Sequence, residues 1–265
     1  MDSFEKWLFP GTPIATVLRF RPMALSLLER HGMDPWNPNH LTIGELCDAK
    51  GIAMDELHAE MKCLPAPDAD TDWRSRPIYH LLDYLTREHW KYINRMLPAI
   101  KHTLAHEYKA NGDSLRRLRY LVEEWPAFSS VLEGHIHEEE TFLFPKILHY
   151  EYSLRHRGHH PDFSGGSVDV FVALRLLDHE KEQMAVVRRF LNEVRFSKAS
   201  EKRLDSLESR LAPLLSDLQV RLANHSALET TVLFPMAKAV EKALFDARIS
   251  GQASMKDPSR FLMPT

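Results

Sequence analysis

Residues 135–145 read HIHEEETFLFP, and residues 225–235 read HSALETTVLFP. The two stretches share their first histidine, the glutamate four residues later and the closing Leu-Phe-Pro, and they lie 90 residues apart. A His and a Glu four residues apart lie on one face of a helix, about one turn from each other. Each stretch can therefore offer an imidazole nitrogen and a carboxylate oxygen to a single centre.

Apolar residues at helical spacing surround both His-x-x-x-Glu pairs and two further histidines. The four stripes are Ile78, Leu82, Leu85, His89, Tyr92 and Met96; Phe128, Leu132, His135, Glu139, Phe142 and Lys146; Val172, Leu176, His179, Gln183, Val186 and Phe190; and Leu211, Leu215, Leu218, Leu222, His225, Glu229, Val232 and Met236. Spacing of three and four residues is typical of the core-facing side of an amphipathic helix. Each helix is therefore expected to carry one histidine into the core.

The long periodic segments predict an all-α protein whose main part is an up-down four-helix bundle. The four helices are expected at about 75–109, 114–148, 168–195 and 201–246. Shorter helical signals precede them, including one that begins after Thr42 and one near 54–61, and the Pro- and Asp-rich stretch LPAPDADTD at 64–72 is typical of a linker. We expect a small helical N-terminal domain at 1–70, the bundle at 71–249 and a C-terminal tail at 250–265.

Composition narrows the classes of protein that fit. The 265 residues are 44% hydrophobic and 27% charged with a net charge of -3, so nucleic acid is an unexpected partner. No apolar stretch approaches the roughly 20 residues that span a bilayer, so a membrane is an unexpected partner as well. Only Cys47 and Cys63 are present, and the first residues lack the order of a secretory signal. A cytoplasmic protein is expected.

A carboxylate in a bundle core needs a compensating charge or a metal, because its burial costs several kcal/mol. The stripes predict six metal ligands: His89, His135, Glu139, His179, His225 and Glu229. Imidazoles and carboxylates suit iron or manganese, whereas a structural zinc site favours thiolates or a closed set of four ligands. Bundle cores are also where carboxylate-bridged di-iron sites are built. The residues therefore leave iron and manganese open, with a structural zinc less favoured.

The remaining histidines and acids are expected to have ordinary roles. His102 and His106 are four residues apart but lie more than three turns beyond His89, which favours a surface position. Next to the second-helix pair, His137, Glu138 and Glu140 fall off the stripe and predict a solvated face. A polar loop is expected to hold His156, His159 and His160.

These motifs resemble the hemerythrin-like (HHE) cation-binding bundles, and among them the iron-centre repair proteins also described as regulators of cell morphogenesis and nitric oxide signalling. The resemblance covers most of the chain and is carried by DWRSRPIYHLLDYL at 72–85, LPAI at 97–100, LLDHEKEQ around His179 and the two stretches quoted above. It implies a non-haem centre of two iron ions with four histidine ligands and two bridging glutamates, and it makes manganese and zinc the less favoured metals. Those ligands fall on the six residues that the stripes nominate.

Two features depart from the family pattern. If the family pattern is aligned without gaps from DWRS, its helix-one ligand falls on Trp90, one residue after His89. A step of one residue along a helix rotates the side-chain direction by about 100°. The family's N-terminal domain also usually carries an adjacent Cys-Cys, where this chain reads MDPWNPNH at 33–40. We therefore expect residues 1–70 to act by packing or docking and not by thiol chemistry.

The resemblance implies a stress protein that restores damaged iron-sulfur clusters or responds to nitric oxide. A sensor or carrier of oxygen or nitric oxide without turnover, and a structural metal-binding interaction protein, remain alternatives, so whether the chain is an enzyme stays open. The expected partners are oxygen or nitric oxide as small ligands, damaged iron-sulfur proteins, and a second copy of the chain in a homodimer. Tyr92 and Gln183, each about one turn beyond a ligand, either tune the centre or pack the core.

Overall fold

A computed structural model describes residues 8–37, 39, 42–66, 71–111, 116–156 and 204–250. Those residues form helices and connecting turns, with an isolated bridge between Pro13 and Thr42 as their one β-type pairing. The all-α prediction is confirmed. The expected helix at 168–195, which includes His179 and Gln183, lies outside the described residues, as do His159, His160 and the tail after residue 250.

Among the described residues, four short α-helices and a 3-10 helix (Trp73–Ser75) precede the long helices. The four α-helices are α1 (Ile14–Phe20), α2 (Ala24–Arg30), α3 (Ile43–Lys50) and α4 (Met54–Lys62). Helix α3 begins with a capping box, in which the Thr42 hydroxyl accepts from the Glu45 backbone N–H and the Glu45 carboxylate accepts from the Thr42 N–H. It ends at Gly51, whose φ of 67° favours glycine. The helices expected after Thr42 and near 54–61 are confirmed.

Three long helical segments follow in the part of the chain that the structure describes, and each of them contains a π-helical turn. The first consists of α5 (Ile78–Lys91), a π turn (Tyr92–Met96) and α6 (Leu97–Asn111); the second of α7 (Arg116–Glu138), a π turn (Glu139–Leu143) and α8 (Phe144–Arg155); the third of α9 (Leu204–Leu228), a π turn (Glu229–Leu233) and α10 (Phe234–Ser250). A π turn is an α-helix widened locally by one residue and is frequent at functional sites.

A proline follows each π turn by two residues: Pro98, Pro145 and Pro235. A proline has no N–H to donate to the carbonyl four residues earlier, and its ring would clash with that carbonyl. In all three cases this carbonyl belongs to the π turn. Proline is not sufficient, because two prolines, Pro126 and Pro213, lie inside α7 and α9 without a π turn. The three π turns also begin within four residues of a buried histidine.

In the first two long segments, the extra residue of the π turn shifts the core-facing stripe by one position. The periodicity places Phe142 in the core, and this is wrong: its side chain is 67% exposed, whereas Leu143 and Phe144 are buried. Beyond Tyr92, the buried position is likewise Leu97 in place of the predicted Met96, which is only partly buried. The reason is geometric, because one added residue rotates every later side chain by about 100°.

Contacts divide the chain into two compact units. The first consists of Met1–Arg87, Glu139–Val168 and Val232–Thr265, and the second of Glu88–Glu138 and Asp169–Thr231. The expected domain boundary near residue 70 stays a prediction. Within the first unit, α1 packs against α2 and α8, and α8 packs against α10.

A buried carboxylate, Asp83 of α5, joins the N-terminal helices to the rest of the first unit. Arg21 donates to Asp83 at 3.2 Å, Arg87 donates at 2.7 Å, and the backbone N–H of Met23 donates at 3.2 Å. Burial raises the pKa of Asp83 to about 6, although Arg21 and the Met23 N–H act in the opposite direction. This side chain is therefore a site where stability depends on pH.

A second buried carboxylate, Glu151 of α8, caps the start of α5. It accepts from the backbone N–H of Ile78 at 2.6 Å and of Tyr79 at 3.3 Å, which have no acceptor within their own helix. Burial raises the pKa of Glu151, while Arg155 and the two N–H groups oppose that shift. Arg155 also donates to Glu29 of α2 at 2.7 Å, so α2, α5 and α8 share one network of charges.

The MDPWNPNH stretch packs through its tryptophan. The ring of Trp36 stacks on His149 with centroids 4.8 Å apart and lies 4.8 Å from the Tyr152 ring. Both partners belong to α8. This part of the chain therefore packs on α8 through Trp36, and the expectation that residues 1–70 act by packing or docking stays a prediction.

The second unit has an apolar core built from α6, α7, α9 and the first π turn. It comprises Tyr92, Leu97, Ile100, Leu104, Leu118, Leu121, Trp125, Phe128, Leu132, Ile136, Leu211, Leu215, Leu218 and Leu222. Those α7 and α9 residues include most of the predicted stripe positions before the ligand pairs. Among the helices that the structure describes, none is both long and apolar enough to cross a membrane.

Candidate metal centre

His89 and His225, both residues of the second unit, face each other from two different helices. His89 lies near the end of α5 and is fully buried, and His225 lies near the end of α9 and is buried as well. Their Nε2 atoms are 3.2 Å apart, and their ring centroids are 4.7 Å apart. Two ligands at right angles on a metal with bonds of about 2.1 Å lie about 3 Å apart, so this separation is that of neighbouring ligands on one ion.

Two glutamates complete the group. Glu229 is fully buried one turn after His225, and its Oε1 lies 2.8 Å from the His225 Nε2. Glu139 is also buried, and one ligand atom from each of His89, Glu139, His225 and Glu229 lies within 4.8 Å of the other three. Both glutamates are the first residues of their π turns. The internal repeat in the sequence is thus also a repeat in local backbone structure.

The chemistry of these four donors fits a first-row transition metal. Two imidazole nitrogens and two carboxylate oxygens form a mixed set without thiolate, which is the type that non-haem iron and manganese proteins use. Each buried carboxylate needs a positive charge nearby, and a metal ion or protonated imidazoles can supply it. The four residues therefore form a candidate metal-binding site.

The structure brings together four of the six predicted ligands. His135 is buried on α7, one turn before Glu139, but it is not in the group within 4.8 Å. His179 lies outside the described residues. Trp90, the position suggested by the ungapped family alignment, is only partly buried, and the Arg95 guanidinium lies 4.9 Å from its ring centroid. Metal coordination by all six predicted residues stays a prediction.

Aromatic and charged side chains lie next to the group. The ring of Tyr92 is buried, with its centroid 6.0 Å from that of His225 in an edge-to-face arrangement and 6.4 Å from that of His89. Glu88, adjacent to His89, is buried and pairs with Arg221 of α9. Spacing along the stripe does not predict Glu88, which lies one residue before the stripe position His89, although an acid within a core-facing segment is a signal for it.

The expectation that Glu140 belongs to a solvated face is wrong. Its side chain is buried, with Oε2 lying 3.6 Å from the Nε of Arg19 on α1. The π turn that begins at Glu139 alters which side chains face inward, and α1 covers this position. His137 and Glu138 are exposed as expected, and so are His102 and His106.

Comparison with known proteins agrees with the family resemblance. No family model matches the chain. The iron-sulfur cluster repair protein YtfE of Yersinia pseudotuberculosis serotype O:1b (strain IP 31758) is 24% identical over 217 residues, which cover 82% of this chain and 91% of the relative. The protein of the same name from Yersinia pestis (strain Pestoides F) is also 24% identical over 217 residues. This chain is similar to the YtfE iron-sulfur cluster repair proteins.

The similarity to YtfE agrees with the resemblance that the two His-x-x-x-Glu stretches carry. The match covers nearly the whole length of the YtfE relatives and is not limited to one motif. Cluster repair is the role stated in the names of those relatives.

Proposed function

We propose that this chain is a non-haem di-iron protein that takes part in the repair of damaged iron-sulfur clusters. The buried group of two imidazoles and two carboxylates carries this proposal. The names of the YtfE relatives support the proposed role in cluster repair. In the proposed architecture, the three long helical segments at 78–111, 116–155 and 204–250 and the segment at 168–195 form an up-down four-helix bundle.

Each proposed ligand has a defined part. His89, His135, His179 and His225 would each hold the metal through one ring nitrogen, and Glu139 and Glu229 would hold it through carboxylate oxygens. Iron held in this way can exchange single electrons and keeps coordination positions open for a small molecule. The surrounding chain excludes bulk water, because His89, Glu139 and Glu229 are almost completely buried. Tyr92 packs against His225 and restricts the orientations of that imidazole.

The proposed partners follow from this chemistry. Oxygen or nitric oxide would bind as a small ligand, and a damaged iron-sulfur protein would be the recipient of repair. A homodimer and a cytoplasmic location, where thiols stay reduced, are part of the same proposal. The manganese and zinc forms are the competing metal states, since both ions accept imidazole and carboxylate ligands.

The test begins with metal analysis of the protein purified from its own host. About two irons per chain are expected, together with near-ultraviolet absorption that appears on oxidation. The protein is then added to an iron-sulfur enzyme damaged by nitric oxide, and recovery of that enzyme's activity is measured. The double variant Glu139→Gln, Glu229→Gln is the matched control, which should fold but should neither hold iron nor restore activity.

Each other outcome contradicts a stated part of the proposal. One zinc and no iron per chain would refute the di-iron centre. Reversible binding of nitric oxide without recovery of the damaged enzyme would make the protein a sensor or carrier. Retained iron that neither binds gas nor supports recovery would make it a structural metal protein.

A further inference from the structure

An ion pair joins α5 and α9 beside the histidine pair. Glu88 precedes His89 on α5, and Arg221 lies one turn before His225 on α9. The Arg221 Nη1 donates to the Glu88 Oε2 at 3.1 Å. The ion pair therefore connects the same two helices as the two imidazoles. It lies one residue before His89 on α5 and one turn before His225 on α9.

Both members of this pair have a second partner. Lys91 donates to the other oxygen of Glu88, and the Arg221 Nε donates to Asp217 at 2.9 Å. The Glu88 side chain is only 7% exposed, whereas Arg221 is 39% exposed. A buried carboxylate bonded to two cations has little freedom to move, because leaving either cation exposes its charge to an apolar surrounding.

Glu88 is also a carboxylate immediately beside a proposed metal ligand. It is not in the group of four whose ligand atoms lie within 4.8 Å of one another. Its two oxygens are instead bonded to Arg221 and Lys91. This bonding separates the carboxylates near the centre into two classes, with Glu139 and Glu229 in the group and Glu88 outside it.

We propose that Glu88 and Arg221 are positioning residues that set the separation of His89 and His225 before metal binds. This inference rests on the proposed function, since it assumes that the two histidines bind one metal ion. A metal site tolerates errors of only about 0.5 Å in ligand position, and a shift of one residue along a helix is about 1.5 Å. The pair opposes such a shift between α5 and α9. The hydrogen bonds from Arg221 and Lys91 also keep the Glu88 carboxylate from binding the metal.

The experiment measures Fe²⁺ affinity of the full chain without oxygen, in competition with a chelator of known affinity. Glu88→Gln and Arg221→Gln remove one charge each, and the double variant removes both. Asp217→Asn is the matched control, because it removes the exposed partner of the same arginine. Arg221→Lys keeps the charge but not the forked geometry. Absorption of bound Co²⁺ provides a spectroscopic readout of ligand geometry.

Each single glutamine variant should bind Fe²⁺ at least about tenfold more weakly, the usual scale for residues that support metal ligands. The double variant should be no weaker than the weaker single variant, because both changes remove one shared contact. Asp217→Asn should stay within about twofold of the native protein, and Arg221→Lys should regain part of the lost affinity. The Co²⁺ bands should shift in the glutamine variants and not in Asp217→Asn.

The results separate this inference from the proposed function. A native protein that takes up no Fe²⁺ refutes both. A native protein that binds Fe²⁺, with Glu88→Gln and Arg221→Gln binding equally well, refutes only the positioning role. If Arg221→Gln and Asp217→Asn weaken Fe²⁺ binding equally, the positioning role is also refuted, because any change of charge near the site would then have the same effect. If Glu88→Gln does not fold, the Arg221 series decides the question through its more exposed side chain.

Discussion

The Nε2 atoms of His89 and His225 lie 3.2 Å apart, although the two residues are 136 positions apart in the chain. Such an approach of two imidazole nitrogens is explained by a shared proton or by a shared metal ion. Glu229 lies 2.8 Å from the same nitrogen of His225, so a carboxylate also contributes at this point. The predictions below separate the two explanations and test the remaining ligands.

Glu139→Gln and Glu229→Gln should each remove most of the bound metal. Each change replaces a charged ligand with a neutral amide of nearly the same shape, so packing is preserved while metal affinity falls. Glu138→Gln is the control, because Glu138 is exposed and adjacent to Glu139. Metal content after gel filtration checks the prediction. Full iron retention in either variant would show that the replaced glutamate is not a metal ligand.

His89→Ala should lose at least one iron per chain or its absorption spectrum, while Trp90→Phe should keep both irons. His89 is fully buried against His225, whereas Trp90 is partly exposed beside Arg95. Metal analysis and the absorption spectrum of the oxidised protein measure the difference. The opposite result would place the helix-one ligand at position 90, where the ungapped alignment puts it.

His135→Ala should lower metal content, although His135 lies outside the group of four. It is buried one turn before Glu139, and it is expected to supply a nitrogen to one of the two ions. His137→Ala is a matched control, since His137 is exposed two residues later on the same helix. Iron titration of both variants provides the measurement. Equal iron binding by the two would restrict the ligands on this helix to Glu139.

The stability of the chain should depend on the ionisation of Asp83. Burial raises the pKa of Asp83 from an ordinary value of 3.8 to about 6, so the folded state binds a proton more tightly than the unfolded state. The contribution of Asp83 is then most favourable below about pH 4 and is lost as the pH rises through about 6, by about 3 kcal/mol in total.

Urea unfolding of the native chain and of Asp83→Asn between pH 4 and pH 7 checks this. The native free energy of unfolding minus that of the variant should fall by about 2 kcal/mol between pH 4 and pH 7, because part of the change lies below pH 4. The same difference for Asp217→Asn, an exposed acid, should stay nearly constant. A constant difference for Asp83→Asn would mean that Arg21 and Arg87 keep the carboxylate ionised throughout.

The sequence by itself determined the helical class and the pairing of donors on each helix. His135 with Glu139 and His225 with Glu229 are four residues apart, and the regular geometry of a helix places such residues on one face whatever surrounds them. The cap at Thr42 and the stripes from Leu211 to Leu222 are local in the same sense, and the structure has them where the pattern predicts.

Tertiary structure decided the features that depend on a change of register or on a distant partner. The π turns rotate the later side chains by about 100°, which exposes Phe142 and buries Leu143. Glu140 is buried because Arg19, from another helix, covers it, and Glu88 is buried because Arg221 pairs with it. Spacing along one helix carries no information about which helix lies opposite. The approach of His89 to His225 was therefore decided only by packing, since a buried charge or ligand is stabilised by groups far away in the chain.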